Sequence, residues 1–180
     1  MAIVKNNILL QFVKGTLGDM LTVYERNGVI IIAAKRGPSK NKPTQAQLQA
    51  RLKMKLAVKY AKRAMEDPEL KAAYQATAGI GQNAFNMAVK DAYNSPMIIN
   101  IHVEEEQTIV VRTQEDFRVA AVKITVYDKE NKMVEKGDAY LTWNRMDWKY
   151  RCEHLPPGSR VEVKAFDLPG NSAMKEIMLT

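Results

Sequence analysis

Val119-Ala-Ala-Val-Lys-Ile-Thr-Val-Tyr127 and Arg160-Val-Glu-Val-Lys-Ala-Phe166 carry apolar side chains at every second position. A period of two marks a half-buried strand, because successive side chains leave a sheet on opposite faces. Val122, Ile124 and Val126 from the first stretch, with Val161, Val163 and Ala165 from the second, are the expected core of a β-domain. Five further runs share the period: Met97–Val103, Thr108–Thr113, Met133–Ala139, Trp148–Cys152 and Met174–Leu179. Turn-forming residues separate them, among them Asp128-Lys-Glu-Asn131, Pro156-Pro-Gly158 and Pro169-Gly-Asn171. About seven short strands within about 85 residues predict an immunoglobulin-like β-sandwich over 95–180. Trp148 is its expected large core aromatic.

The chain before Pro96 reads differently. Ile8, Leu10 and Phe12 lie at period two, Gly15 and Gly18 punctuate a turn, and Met20–Glu25 reads as a strand. Asn27-Gly28 then predicts a hairpin turn, because both residues tolerate positive φ, and Val29–Ala34 is the returning strand. Gly37 to Pro43 predicts an extended linker. Thr44 and Gln47 have the spacing of a capping box, opening a helix that runs to about Glu66. Asp67-Pro68 starts a second helix, with Pro68 at the first helical position where its missing N–H costs little. That helix ends near Ala78, before Gly79 and Gly81. A third covers Gln82 to Tyr93, with Phe85, Val89 and Ala92 on one face. The expected fold is therefore α+β, with a basic strand-and-helix domain over 1–94 and the sandwich over 95–180.

Val161-Glu-Val-Lys-Ala-Phe-Asp-Leu-Pro-Gly-Asn171 resembles the penultimate strand and last hairpin of bacterial immunoglobulin-like and fibronectin-type domains, where a V-x-V-x-A-x-D-x-x-G-N pattern recurs. The whole chain also resembles a family of uncharacterised small bacterial proteins with a basic α+β N-terminal part and a C-terminal sandwich of that type. The residues that carry this resemblance are Lys14-Gly-Thr-Leu-Gly-Asp19, Lys35-Arg-Gly-Pro38, Thr44-Gln-Ala-Gln-Leu-Gln49 and Ala57-Val-Lys-Tyr-Ala-Lys62. Asp67-Pro68, Lys71-Ala-Ala-Tyr74, Ala84-Phe-Asn86, Asp116-Phe117 and Gly170-Asn171 complete it. The resemblance implies the two-part architecture and names no function.

Several chemistries find no support in the residues. The apolar runs Val29–Ala34 and Met97–Ile99 fall far short of the roughly 20 residues a spanning helix needs, so no membrane insertion is expected. The opening MAIVKNNILLQFVKGTLGDM reads as a strand and not as a signal peptide. The expected location is the cytoplasm, or a particle or machine assembled without a signal peptide. Cys152 is the one cysteine, which excludes an internal disulfide and a cysteine zinc cluster. Cys152 and His154 would share a strand face, but no acidic residue is spaced to orient them, and His102 lies on another strand. Structural roles are expected for all three. Glu104-Glu105-Glu106, Asp116, Asp128 and Asp167 lack a calcium-loop pattern and read as solvated turns. Gly15 and Gly18 precede no helix, so they form no phosphate cradle. The expectation is a non-enzymatic protein with no cofactor, no metal and no small-molecule substrate.

The charge distribution carries more information. The net charge is +7, yet residues 1–95 hold 15 basic and 6 acidic residues, while 96–180 hold 12 and 14. The stretch 35–63 carries ten basic residues and no acidic one. At about 100° per residue, Arg51, Lys55, Lys59, Lys62 and Arg63 fall within roughly 120° of one helix face. Leu48 and Leu52 lie on the same side, whereas Met54, Leu56, Ala57, Val58, Tyr60, Ala61, Ala64 and Met65 fill the opposite arc. With Lys35 and Arg36, these five bases are the expected contact for an anionic partner. Val29, Ile30, Ile31 and Ile32 are apolar on both strand faces and are the expected self-association surface. The leading expectation is a structural or assembly protein, homo-oligomeric or part of a larger protein assembly. Its N-terminal part would self-associate or dock, and its sandwich would serve display or spacing. The alternative is a nucleic-acid-binding protein using the basic linker and helix over 35–63.

Overall fold

Asn27 and Gly28 both take positive φ, 52° and 75°, and close a tight hairpin between strands β3 (Leu21–Arg26) and β4 (Val29–Ala34). Gly18 and Asp19 do the same, both at 55°, between β2 (Gly15–Leu17) and β3. Two turns of this hand match the right-handed twist of the flanking strands, which fixes the register. The computed structural model describes residues 2–4, 13–35, 37, 42–105 and 107–179. Within it, β1 (Ala2–Val4) pairs with β4, giving a four-stranded antiparallel sheet in the order β1-β4-β3-β2. The expected strand through Ile8, Leu10 and Phe12 lies outside the described residues, as does most of the expected linker.

Three helices follow. In α1 (Gln45–Ala64) the capping box forms as its spacing predicts: Gln47 N donates to Thr44 Oγ1 at 3.3 Å, and Thr44 N donates to Gln47 Oε1 at 3.0 Å. In α2 (Pro68–Thr77), Asp67 Oδ1 accepts from the N–H groups of Glu69 and Leu70, and Pro68 occupies the first turn. For α3 (Ala84–Tyr93) the cap is Asn83, whose side chain accepts from Asn86 N. The helices pack through small residues: Ala61, Ala64, Ala84 and Ala88 surround the buried Tyr74 ring. Alanines let the helix backbones approach, and Tyr74 fills the space between them.

The remaining strands are β5 (Met97–Glu104), β6 (Thr108–Gln114), β7 (Val119–Tyr127), β8 (Met133–Leu141), β9 (Asp147–Arg151), β10 (Arg160–Asp167) and β11 (Ser172–Met178). All pairings are antiparallel, in the order β11-β10-β7-β8-β9-β6-β5. Strand β8 turns the corner. Its first part pairs with β7, and only Tyr140 and Leu141 pair with β9. The sheet thus curls until its two edges approach. There a bulge at Ile98/Asn100 in β5 leaves carbonyls that accept from Lys175 Nζ of β11, at 2.9 Å for Ile99 O. Val122, Ile124, Val126, Val161, Val163 and Ala165 are completely buried in the interior, as their period requires. Trp148 joins them, with its indole N–H donating to Thr113 Oγ1 at 3.1 Å. Gly137 faces the Tyr150 ring, where a Cβ would come within 2.6 Å of the phenol oxygen.

The fold is α+β, in two compact units, residues 1–47 and 48–180. The expected division at 94–95 falls inside the second unit, because three ties hold the helices to the curled sheet. Phe117, ahead of β7, stacks on Tyr74 with ring centroids 4.2 Å apart. Lys90 Nζ lies 2.7 Å from Asp116 Oδ1. Asn171, in the turn between β10 and β11, donates from Nδ2 to the carbonyls of Ala92 and Asn94 at the end of α3. Those carbonyls have no partner within the helix, so Asn171 acts as its C-terminal cap.

The sheet's core draws only on residues from Ile98 onward. A fragment of residues 95–180 is therefore expected to give an all-β circular dichroism spectrum. Its urea midpoint should lie below that of a 48–180 fragment, which keeps the three ties; equal midpoints would show that the ties contribute nothing. Gly137→Ala is expected to lower the stability of the full chain by about 1–3 kcal/mol through overpacking against Tyr150, read from the same urea transition.

Candidate interaction surfaces

Every residue of α1 from Gln45 to Leu56 is exposed, and cover begins only at Ala57. No side chain of this half is buried. Its sequence suits that situation. Gln, Ala, Leu, Arg, Lys and Met are the best helix formers, and the capping box satisfies the first turn. Met54 and Leu56, expected on the buried arc, are 44% and 59% exposed. At about 100° per residue Met54 stands within about 20° of the buried Ala61, whereas Leu56 stands about 140° from it, on the side of Leu48 and Leu52. Leu48, Leu52 and Leu56 therefore form an exposed i, i+4, i+8 row, at 45%, 59% and 59% exposure. Arg51, Lys55, Lys59, Lys62 and Arg63 flank that row, all exposed, and none forms an ion pair with a described residue. Lys53 leaves this face and sits over the Tyr93 ring at 4.7 Å. Lys62 and Arg63 also lie in the last turn, where positive charge complements the helix dipole.

Lys35 is placed elsewhere. It follows β4 in the first unit, and its Nζ lies 2.5 Å from Asp19 Oδ1 across the β2–β3 turn. Arg36 lies outside the described residues. In the four-stranded sheet, Ile31 is buried, Ile30 and Ile32 are half-buried, and Val29 is exposed. Strand β4 is interior, paired on both edges, so it offers a neighbour only its faces. Register puts Leu17 and Leu21 on the face of Val23, and Ile3 and Val29 on the face of Ile31, and all four outer residues are exposed. Each face of the sheet thus has a covered centre and an open apolar margin.

The residues weighed for catalysis separate. Strand β9 ends at Arg151, so Cys152 and His154 do not share a strand face. Cys152 points into the core, where burial pushes its thiol up to about 11, a protonated and unreactive state at neutral pH. His154 is exposed in the following turn. His102 Nε2 lies 3.8 Å from Glu104 Oε1, and Glu104 also pairs with Lys149 Nζ at 2.6 Å. Asp128 Oδ1 accepts from the N–H groups of Glu130 and Lys132, and Asp167 Oδ1 from that of Asn171, so both acids shape turns. Among the described residues no group of three or more His, Cys, Asp or Glu is arranged to hold a metal ion.

A buried polar cluster went unforeseen. Tyr74 Oη donates to Asp91 Oδ2 at 2.5 Å, and Tyr60 Oη lies 3.0 Å from Tyr74 Oη. Asp91 is completely buried, and its Oδ1 has no hydrogen-bond partner; nor has Glu115 Oε2. Burial raises Asp91 to about 6, against the Tyr74 hydrogen bond and Arg118, with Asp167 and Asp116 adding to the rise. Burial likewise raises Glu115 to about 7, with Asp91 and Asp167 adding to it. Two carboxyls this reluctant to ionise sit where the helices meet the sheet. The signal was an Asp at the fourth position after Met87 on a face otherwise made of Ala84, Ala88 and Ala92, but its partners lie in other elements. Sequence reading also passed over Tyr140, exposed near the end of β8, and Trp143, exposed in the β8–β9 turn.

No known protein family's sequence profile matches the chain, and no curated protein matches it. Among solved structures, CopC from Methylosinus trichosporium OB3b is similar over 47% of this chain and 91% of its own, at 14% identity and a TM-score of 0.39. An engineered protein is similar over 58% of this chain and 31% of its own, at 13% identity and a TM-score of 0.33. Likeness at this level assigns neither family nor activity. No helix among the described residues is long and apolar enough to cross a membrane.

The junction carboxyls predict a pH dependence of definite sign. An unfolded Asp or Glu ionises near pH 4, whereas folded Asp91 and Glu115 hold their protons to about 6 and 7. Between these limits the folded state binds more protons, so stability falls as pH rises from about 4 through about 7. The urea midpoint should be higher at pH 5 than at pH 8. Asp91→Asn with Glu115→Gln should flatten this slope while retaining an acceptor for Tyr74. A slope unchanged by the double substitution would show that other groups set it.

Proposed function

We propose that the protein is a non-enzymatic structural or assembly subunit whose exposed half of α1 docks on an acidic, partly apolar surface of a neighbouring copy. The observation that carries this reading is the row Leu48, Leu52 and Leu56 lying bare among Arg51, Lys55, Lys59 and Lys62. Exposed leucines in register call for apolar cover, and the bases around them select an acidic rim. The open apolar margins of the four-stranded sheet, with Val29 beside Ile31 on one face and Ile30 and Ile32 on the other, support a second contact of the same kind. The curled sheet would then serve as a display or spacing module. An immunoglobulin-like sandwich is the reading its connections favour. Strands β5, β6 and β9 adjoin on one side and β7, β10 and β11 on the other, with β8 bridging the two. In that fold the first, second and fifth strands likewise oppose the third, sixth and seventh.

Nucleic acid is the alternative occupant of the basic face. Phosphates would satisfy the five bases, but they offer nothing to the leucines between them. The two readings part on salt and on the leucines. If the docking reading holds, light scattering at micromolar concentration gives a mass above the 20.3 kDa of one chain. Replacing Leu48, Leu52 and Leu56 with Gln should then shift the protein to monomer, at a loss of about 1–2 kcal/mol per leucine from partial burial. Lys55, Lys59 and Lys62 replaced with Gln should weaken the oligomer and its salt sensitivity. A monomer that binds duplex DNA with a log–log salt slope of about −3 to −5, at about −0.9 per phosphate contact, would establish the alternative.

A further inference from the structure

The turn between β8 and β9 is built to stay rigid. Asn144 Oδ1 accepts from the N–H groups of Met146 and Asp147, both at 2.9 Å, and its Nδ2 donates to Asp147 Oδ2 at 2.7 Å. Thr142 N donates to Asp147 O at 2.8 Å, and Arg145, at φ 58°, donates from its N–H to Thr142 O. Trp143 sits at the tip of this turn and is 95% exposed. The backbone that carries this tryptophan is already ordered, so binding has only the side chain's own freedom left to remove.

The sheet beside it supplies a polar floor. Val111, Trp148 and Ile101 point into the core, so their strand neighbours point outward. Register sets Tyr140, Lys149, Val110 and His102 in one row across the strands, and Asp147, Arg112 and Asn100 in the next. Arg112 donates from Nε and Nη2 to the two oxygens of Asp147 at 2.7 and 2.9 Å. Lys149 Nζ donates to Glu104 Oε2 at 2.6 Å. An open cleft of about 590 Å³ lies over this face, lined by Tyr140, Trp143, Arg112, Asp147 and Lys149 among others. That volume falls within the range of small-molecule clefts, about 300–1,000 Å³.

The chemistry of the cleft selects its occupant. Its two ion pairs cancel, so it offers no net field to attract an anion or a cation. Its floor carries too many charged groups for the centre of a protein interface, where charge is depleted. What it does offer is donors and acceptors side by side next to two exposed aromatic rings. A neutral sugar fits these terms. Its hydroxyls both donate and accept, so they can share the spare lone pairs of the carboxylates and the spare N–H groups of Arg112 and Lys149. Its C–H face is apolar and stacks on an indole or phenol ring. We propose that the outer face of β8, β9, β6 and β5 binds a neutral carbohydrate, with Trp143 and Tyr140 as stacking platforms and the Arg112–Asp147 and Lys149–Glu104 pairs as its hydrogen-bonding floor. The proposal needs no neighbouring subunit, so it stands apart from the assembly reading.

The test uses the full chain and a panel of soluble neutral polysaccharides: an α-glucan, a β-glucan, a mannan, a galactan and N-acetylglucosamine oligomers. Binding is read by affinity gel electrophoresis and by tryptophan fluorescence. Of the two tryptophans, Trp148 is 6% exposed and Trp143 is 95% exposed, so a blue shift on binding reports Trp143. At least one member of the panel should retard the protein and shift its emission, with little sensitivity to salt. Trp143→Ala should abolish the shift and weaken binding roughly tenfold or more, the scale of a lost aromatic contact. Tyr140→Ala and Arg112→Gln should each weaken it, with the circular dichroism spectrum unchanged. No binding by any member, or binding that survives in Trp143→Ala, overturns the proposal. So does Trp143→Ala lowering the oligomer mass without any sugar effect, which would make the face a protein contact.

Discussion

The pairing of β7 with β10 is the contact on which the rest of the second unit depends. Val122, Ile124 and Val126 stand opposite Ala165, Val163 and Val161 in register, and all six are completely buried. β-branched side chains stack well on a pleated surface and lose little further freedom there. Once this pair is fixed, β8 and β11 extend it on either side, and β8 carries the chain round to β9 and β6. The turn that ends β10 then places Asp167 and Asn171, and Asn171 in turn caps α3. The helices are thus positioned by the end of a strand.

The junction they form is held by polar groups as much as by apolar ones. Tyr74 stacks on Phe117 and donates to Asp91, so one ring bridges the helical layer and the sheet. Residues from Tyr74, Ala84, Phe117 and Asn171, far apart in the chain, meet here. A buried carboxyl with one unpaired oxygen is costly when ionised, which explains why Asp91 is raised to about 6. Well-packed apolar residues would hold the same layers together without that cost.

Two exposed features contrast with this economy. The first half of α1 keeps a row of leucines in water, and the β8–β9 turn keeps a tryptophan there. In each case local structure is stabilised without tertiary cover, by a capping box in one and by an asparagine-centred turn in the other. The two differ in their surroundings. The leucines lie among bases that form no ion pair with a described residue, which favours an acidic protein surface. The tryptophan lies beside self-compensated ion pairs, which favours a neutral polar ligand.

Local patterns in the sequence determined a great deal. The Asn27-Gly28 turn, the Thr44–Gln47 box, the Asp67-Pro68 helix start and the inward residues of β7 and β10 all follow from spacings of one to four residues. Backbone geometry acts at that range, so those spacings are sufficient. Tertiary structure alone decided which patterned surfaces are covered. Met54 and Ala61 lie within about 20° of one another on the helix, yet only Ala61 is buried. Trp143 and Trp148 lie five residues apart on one hairpin; the turn carries Trp143 clear of the sheet, and the register of β9 against β6 turns Trp148 inward. Asp91 reads as a surface acid on a short helix, yet it is completely buried with Tyr74 of another helix bonded to it. Periodicity names the face of an element. Whether that face is buried depends on how far elements distant in the chain extend over it, and no local spacing encodes that reach.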